Sequence, residues 1–175
     1  GSAHFAKTVF WIKLLNPGIR VEVLIPDFKG DSKALETVVR SGIHILNHNM
    51  ETVPRLYKKV RPGSVYQRSL DVLKAAKSIR SDVLTKSGLM LGLGETDDEV
   101  LAVMRDLRAH GVDMLTIGQY LQPRAGNLSV RRYVPPEQFR ALAQRAKGMG
   151  FTHAACGPLV RSSYHADQQA QAARI

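Results

Sequence analysis

The feature of this sequence that most constrains its fold is a regular alternation of strand-like and helix-like segments. Short apolar segments bounded by turn residues are separated by longer segments whose apolar residues recur at helical spacing. Strands that alternate with helices through short turns form a parallel sheet with right-handed crossovers. The strands are predicted at residues 21–25, 43–46, 84–91 and 114–121, and residues 151–156 are a candidate terminal strand.

The predicted helices fill the intervals between these strands. Asp31 or Ser32 is expected to cap the second helix, and Thr96 and Glu99 have the spacing of a capping box. A closed barrel of eight strand–helix units needs ~250 residues, so the α/β pattern of this chain predicts a partial barrel or an open half-barrel. The helices are expected at residues 4–15, 32–41, 51–60, 67–79, 97–111 and 136–147.

Length and composition exclude several classes of protein. A chain of 175 residues with 44% hydrophobic residues suffices for one domain with a real core. The single cysteine, Cys156, cannot close an intramolecular disulfide or form a thiolate cage by itself. Neither a signal-peptide pattern nor an apolar run of ~20 residues occurs. A cytoplasmic protein without a membrane partner is therefore expected.

The chain carries a marked excess of positive charge. Lysine and arginine number 25 against 15 acidic residues, which gives a formal net charge of +10. Such a charge attracts anionic partners, but no nucleic-acid-binding motif accompanies the basic clusters at residues 55–61 and 124–132. A solvated basic surface is the favoured interpretation, an acidic protein partner comes next, and no nucleic-acid partner is predicted.

Polar residues gather where the predicted strands end. Asn47, Asn49 and Glu51 follow the second strand, and the carboxyl ends of parallel strands share one edge of the sheet. These side chains either form a turn and a helix cap or hold a polar ligand such as a ribose or an amino-acid head group. His48, between them, is weak evidence for catalysis or metal binding.

Residues 88–95 are the most informative segment of the sequence. Gly88 and Gly92 lie in or next to a predicted strand, where glycine is unfavourable unless another group approaches the backbone closely. Two such glycines allow a flat ligand to lie against the strand, and a tight strand-to-helix turn is the alternative. The segment is neither a dinucleotide-binding fingerprint nor a Walker loop.

Seven sequence segments together resemble one family. The chain is similar to the C-terminal part of the lipoyl synthases, which are radical-SAM enzymes, and the resemblance covers essentially all 175 residues in order. The matching segments are Gly1–Phe5, Val23–Gly30, Asn47–Pro54, Val60–Gly63, Thr85–Thr96, Gly118–Pro123 and Arg161–Tyr164.

The resemblance implies a fold, cofactors and an activity. It implies a partial (β/α) radical-SAM barrel over residues 1–157 and an irregular tail over residues 158–175. Family members use two 4Fe–4S clusters and S-adenosylmethionine (SAM) to insert sulfur at C6 and C8 of a protein-bound octanoyl group. The implied partners are an octanoylated lipoyl carrier domain or a glycine-cleavage H protein, and an electron donor such as ferredoxin or flavodoxin.

The resemblance also assigns roles to individual residues. Asn47, Asn49 and Glu51 correspond to positions for contacts with the ribose and methionine parts of SAM. One serine of the pair Ser162 and Ser163 corresponds to the unusual serine ligand of the auxiliary cluster. The remaining implied cofactor-binding residues are Gly88, Met90, Gly92 and Glu95, which match the strand motif that packs on adenine, and Gln122.

The sequence departs from the family pattern in two places. Both cysteine motifs that hold the clusters are missing, and Cys156 cannot replace them. Residues 124–129 also differ from the usual loop of the family. The expectation is a truncated or split lipoyl synthase that is inactive by itself. The alternatives are another radical-SAM sulfur-inserting enzyme, a non-enzymatic basic binding module, and an inactive remnant.

Overall fold

Five parallel strands form one sheet in which each strand lies next to its neighbours in the sequence. In this computed structural model, which describes residues 1–168, β1 and β5 are the two edges, so the sheet is an open, partial barrel. This architecture confirms the predicted fold class, and the candidate terminal strand is present. The strands are β1 Glu22–Leu24, β2 Ile45–Asn47, β3 Leu84–Leu91, β4 Met114–Gln119 and β5 His153–Cys156.

Helices cover the outer face of this sheet. Inward-facing helix residues such as Val38, Leu73 and Phe139 pack with the strand residues Leu46 and Leu115 in one hydrophobic core. Burying that apolar surface is the main force holding the layers together. The helices are α1 Ser2–Leu15, α2 Ser32–Val39, α3 Tyr57–Val60, α4 Tyr66–Ile79, α5 Asp97–Ala109 and α6 Pro136–Gly148.

The inner face of the sheet carries a different set of side chains. Successive residues of a strand point to opposite faces, and the strand register places Asn47, Lys86 and Met114 side by side on the inner face. Ile45 and Met114 form a small apolar cluster that is separate from the main core. The inner face is therefore where polar residues and a ligand site are to be sought.

Two predicted helix caps are confirmed by hydrogen bonds. Thr96 Oγ1 accepts from the backbone N–H of Glu99, and Glu99 accepts from the backbone N–H of Thr96 in return. The Asp31 side chain accepts hydrogen bonds from the backbone N–H groups of Lys33 and Ala34 in the first turn of α2. Both helices thus begin where a side-chain acceptor meets otherwise unpaired backbone donors.

The helix predicted over residues 51–60 is wrong in its first half. Glu51 adopts φ +66° and forms a parallel bridge with Leu89, which extends the sheet beyond β2. A short 3-10 turn, Pro54–Leu56, follows, and only Tyr57–Val60 is α-helical. Pairing with β3 decides this local conformation, because it satisfies backbone groups that a helix start would leave free.

After β5 the chain continues beside β4 for two residues and then turns, which brings the Val160 carbonyl over Gly118. The predicted tail begins with Pro158, whose carbonyl accepts a hydrogen bond from the backbone N–H of Gln119 at 3.3 Å. Residues 169–175, the end of the predicted tail, lie outside the described residues. Within residues 1–168, no helix is both long enough and apolar enough to cross a membrane.

Candidate functional site

Several of the predicted site residues line one cavity at the carboxyl ends of the strands. Asn49, Glu51, Gly88, Met90 and Ser162 all border a space of about 190 Å³ on the inner face. The other lining residues are Leu89, Thr116, Gly118, Val160 and Arg161. The convergence of strand ends that the sequence predicted therefore exists, and the start of the tail forms one of its walls.

Gly88 lets the side chains of neighbouring segments approach the floor of this cavity closely. A Cβ atom at Gly88 would lie 2.8 Å from Thr116 Oγ1 and 2.9 Å from Asn49 Oδ1, closer than real Cβ contacts. The absence of a side chain therefore brings polar atoms of β4 and of the segment after β2 close to the β3 backbone. This geometry supports the interpretation that the glycine serves close approach rather than a turn.

Asn49 and Glu51 place polar atoms over that floor. Asn49 donates from Nδ2 to Glu51 Oε1 at 3.2 Å, while its own Oδ1 is buried and has no hydrogen-bond partner in the described residues. A buried acceptor without a partner costs free energy, so it marks a position where a ligand donor is favoured. Burial raises the pKa of Glu51, against the opposing effects of the Asn49 hydrogen bond and of the Arg61 charge.

Backbone hydrogen bonds hold Glu51 at this position. Its N–H donates to the carbonyl of Gly88 at 2.9 Å, and its own carbonyl accepts from the N–H of Met90 at 2.9 Å. The Glu51 side chain is thereby fixed beside the two β3 residues that the family resemblance assigns to adenine. Met90 is half-buried and, with Leu89 and Val160, provides the apolar part of the cavity lining.

Asn47 belongs to a neighbouring polar cluster and does not line the cavity. Its Nδ2 donates to Glu22 Oε1 at 3.0 Å, and Lys86 Nζ lies 3.0 Å and 3.1 Å from the two oxygens of the same carboxylate. Lys86 is fully buried, so Glu22 compensates its charge inside the partial barrel. Sequence reasoning missed this cluster, although a lysine within an otherwise buried strand was its signal.

Gly92 and Glu95 shape the loop after β3 instead of facing the cavity. Glu95 is buried and its carboxylate accepts from the N–H groups of Gly92 at 2.7 Å and Leu93 at 2.9 Å. Gly92 has φ +104°, and a Cβ there would meet the Gln119 side chain and the Arg132 carbonyl. The two residues therefore fix the turn that leads from β3 into α5.

Gln122 and Ser163 lie apart from the cavity. Gln122 is exposed and donates to the carbonyl of Asn127 at 2.9 Å within the loop after β4. Ser163 is exposed, whereas its neighbour Ser162 is half-buried at the cavity wall. The structure thus brings only one serine of the pair to the cavity.

Thr116 is a cavity residue that sequence reasoning missed. It lies on β4 opposite Gly88 and is 3% exposed, and among residues 1–168 its hydroxyl makes only a long hydrogen bond of 3.5 Å to the Ser87 carbonyl. Its signal was a single hydroxyl-bearing residue between apolar neighbours in a buried strand. The hydroxyl provides a second polar group beside the unpartnered oxygen of Asn49.

The described residues contain no ready cluster site. Within residues 1–168, no group of three or more histidine, cysteine, aspartate or glutamate side chains is placed to hold a metal ion. Cys156, the only cysteine of the sequence, is largely buried, and burial raises the pKa of its thiol to about 12. These residues therefore do not fit the three thiolates that a 4Fe–4S cluster of this family needs.

Comparison with protein families identifies the family of the chain. The sequence model of the Radical SAM superfamily matches residues 3–107, which is more than half of the chain. The chain belongs to the Radical SAM superfamily. The matched range includes both the polar segment after β2 and the glycine-containing β3, so the family assignment covers two of the three strand ends around the cavity.

Curated relatives of this radical-SAM chain are named lipoyl synthase. That of Thiobacillus denitrificans is 59% identical over 99% of the chain and 56% of its own length. That of Polaromonas naphthalenivorans is 57% identical over 100% of the chain and 53% of its own length. The chain therefore spans about half the length of the curated relatives it matches. This similarity confirms the resemblance that the sequence motifs indicated, and it supports an enzyme of this family.

Solved structures show the same fold at low sequence identity. Methylornithine synthase (PylB) superposes with a TM-score of 0.60 at 18% identity, over 91% of this chain and 54% of that one. A 2,3-dimethylmalate lyase superposes with a TM-score of 0.50 at 13% identity, over 99% and 64% of the two chains. Both likenesses concern the fold alone.

The polar groups of the cavity are compatible in chemistry with part of a SAM molecule. The unpartnered acceptor of Asn49, the carboxylate of Glu51 and the hydroxyl of Thr116 can pair with the hydroxyl groups of a ribose and the amine of an amino acid. The volume of about 190 Å³ is below the ~300 Å³ at which ordinary ligand pockets begin, so the cavity can hold only part of the molecule. Of the cofactors that the family implies, SAM is thus the one that these residues fit.

Proposed function

We propose that this chain forms the C-terminal part of a lipoyl synthase and supplies one wall of its SAM site. The reaction is the insertion of two sulfur atoms at C6 and C8 of a protein-bound octanoyl group. The observation that carries the proposal is the cavity where Gly88, Asn49 and Glu51 meet on the inner face of a radical-SAM barrel. Bound in such a site and cleaved with one electron from a reduced cluster, SAM would supply methionine and a 5′-deoxyadenosyl radical that takes a hydrogen atom from the substrate.

Each residue of the chain has a positioning role in this proposal. Gly88 leaves room for the flat adenine against β3, and Met90 packs on it. Asn49 and Glu51 accept hydrogen bonds from the ribose and methionine parts of SAM. The hydroxyl of Thr116 is a further contact. The fit of an unpartnered buried acceptor to a ligand donor supports these roles.

Other residues of the cofactor-binding set act from a distance. Gly92 and Glu95 hold the loop above β3 through the hydrogen bonds of the Glu95 carboxylate. Asn47 supports the inner face of β2 through Glu22. Gln122 stabilises the loop after β4, because its side chain donates a hydrogen bond within that loop.

The serine pair of the tail is assigned to the auxiliary cluster. One of Ser162 and Ser163 provides an oxygen ligand, which binds iron less tightly than a thiolate and suits a cluster that must release sulfur. The thiolate ligands of both clusters are not among these 175 residues, since Cys156 is the only cysteine. We therefore expect no lipoyl product from a polypeptide of these 175 residues alone.

The organisation and partners of the proposed enzyme follow from the same assignment. Residues 1–157 act as the barrel part and residues 158–175 as the tail, with the boundary just after β5. The substrate is an octanoylated lipoyl carrier domain or a glycine-cleavage H protein, and ferredoxin or flavodoxin donates the electrons. The reaction takes place in the cytoplasm.

A chimera tests the proposal in a complete enzyme. Residues 1–175 replace the matching segment of the Thiobacillus denitrificans lipoyl synthase, and 5′-deoxyadenosine and lipoyl product are measured in one assay. Ser162→Ala and Ser163→Ala are tested singly and together, with the exposed Ser81→Ala as the matched control. We expect the chimera to form lipoyl groups and the responsible serine variant to cleave SAM with little lipoyl product.

Two results would contradict the proposal. A folded, cluster-loaded chimera that cleaves no SAM would show that these residues do not complete the site. Full lipoyl yield from the double serine variant would show that the tail serines are not needed for sulfur insertion. An unchanged lipoyl yield from Ser81→Ala would show that the loss expected in the responsible serine variant is not a general effect of serine replacement.

A further inference from the structure

Gly118 occupies a place where glycine is not expected from local conformation. It lies in the interior of β4, where glycine weakens a strand because it adds no side chain and gains backbone entropy on unfolding. Its backbone is not in the left-handed region that favours glycine. Something other than backbone geometry must therefore account for the residue.

The space beside Gly118 is filled by the backbone of the tail. A Cβ atom at Gly118 would overlap the carbonyl oxygen of Val160 and would lie 3.0 Å from Arg161 Nη1. Gly88, by contrast, faces side-chain atoms of Thr116 and Asn49. A backbone carbonyl moves only if the chain that carries it moves, so any side chain at position 118 displaces the tail.

Hydrogen bonds on both sides of this contact hold the tail against β4. The N–H of Gly157 donates to the Ile117 carbonyl at 3.0 Å, and the N–H of Gln119 donates to the Pro158 carbonyl at 3.3 Å. Val160 is 6% exposed, so its side chain is also packed. Ser162 follows only two residues later and borders the same cavity as Gly118.

We propose that Gly118 is a positioning residue that seats the tail on the inner face of the sheet and thereby sets where Ser162 enters the cavity. The inference deepens the proposed function, because the serine pair is the part of the chain that we assign to the auxiliary cluster. Gly118 acts through the Val160 backbone and not by contact with a ligand. Its role is therefore measurable in the 175-residue chain without any cofactor.

Hydrogen–deuterium exchange followed by mass spectrometry tests this role. In Gly118→Ala, we expect the peptide covering residues 157–164 to exchange at least tenfold faster, while β3 keeps its protection. Gly148→Ala is the matched control, because a Cβ at this helical glycine meets no atom within 4 Å. The control variant is expected to exchange like the original chain in both regions.

A second variant disturbs the packing of the tail at Val160 itself. Val160→Asp places a charge in a buried position, which is costly, and leaves Gly118 unchanged. We expect the same rapid exchange in residues 157–164 with β3 protected. Because no cofactor enters the experiment, its outcome is independent of whether the proposed sulfur insertion is correct.

Any one of three outcomes would overturn the inference. Unchanged exchange of residues 157–164 in Gly118→Ala, with β3 protected, would mean that the tail does not depend on the missing side chain. Loss of β3 protection in Gly118→Ala would mean that the glycine serves the sheet and not the tail. Unchanged exchange of residues 157–164 in Val160→Asp would likewise show that packing at Val160 does not hold the tail in place.

Discussion

Replacing Lys86 by methionine tests whether the inner face of the sheet is built as described. Lys86 is fully buried and its ammonium lies 3.0 Å and 3.1 Å from the carboxylate oxygens of Glu22, whose side chain is 19% exposed. Methionine preserves most of the volume but leaves the carboxylate without its partner. Removing one member of a buried ion pair costs about 3–5 kcal/mol, and the partial exposure of Glu22 reduces this to about 2–3 kcal/mol.

The free energy of unfolding of Lys86→Met is measured by urea titration with far-UV circular dichroism. For a chain of this size, the expected loss lowers the melting temperature by about 5–10 °C. The double variant Lys86→Met/Glu22→Gln should recover part of the loss, because it removes the uncompensated charge. Arg40→Met breaks the exposed pair with Glu36 and is the control, with an expected cost of about 0.5 kcal/mol or less. If Lys86→Met lowered the free energy of unfolding no more than the control does, the assignment of a buried ion pair between Lys86 and Glu22 would be wrong.

Three further predictions concern single residues. Thr96→Ala removes the confirmed capping box and should cost about 1 kcal/mol in urea titration, and an unchanged midpoint would contradict the cap. Burial raises the pKa of Glu51 in the folded chain above its value in the unfolded chain. The free energy of unfolding therefore falls as the pH rises from the lower of these two pKa values through the higher one. Glu51→Gln should flatten that part of the stability–pH profile, and an unaltered profile would show that another group is responsible. Burial raises the pKa of the Cys156 thiol to about 12, so iodoacetamide should label it at least tenfold more slowly in the folded chain than in urea, and equal rates would contradict the burial.

The sequence was sufficient to predict the strands and the edge at which their ends meet. Apolar segments such as Leu84–Leu91 are long enough to be recognised, and parallel order follows from the helices between them. The cap at Thr96 was also predictable, because a capping box involves residues only three positions apart. Local patterns of this kind depend on neighbours in the sequence.

Features that depend on strand register were not predictable in the same way. Asn47 bonds to Glu22, and Glu51 pairs with β3 instead of starting a helix. The close approach of the Val160 carbonyl to Gly118 joins residues that are far apart in the sequence. Each of these contacts forms across strands or across the tail, so no single segment contains its signal.

The most direct test of the account is SAM binding and cleavage by the Thiobacillus denitrificans chimera with and without a side chain at Gly88. Equilibrium dialysis gives the affinity for SAM, and 5′-deoxyadenosine formation gives cleavage, with Gly148→Ala as the folded control. Because any Cβ at Gly88 lies within 3 Å of Thr116 and Asn49 atoms, we predict that Gly88→Val lowers SAM affinity at least tenfold and abolishes cleavage. A Gly88→Val chimera that binds and cleaves SAM as well as the control would contradict the assignment of this cavity to the cofactor.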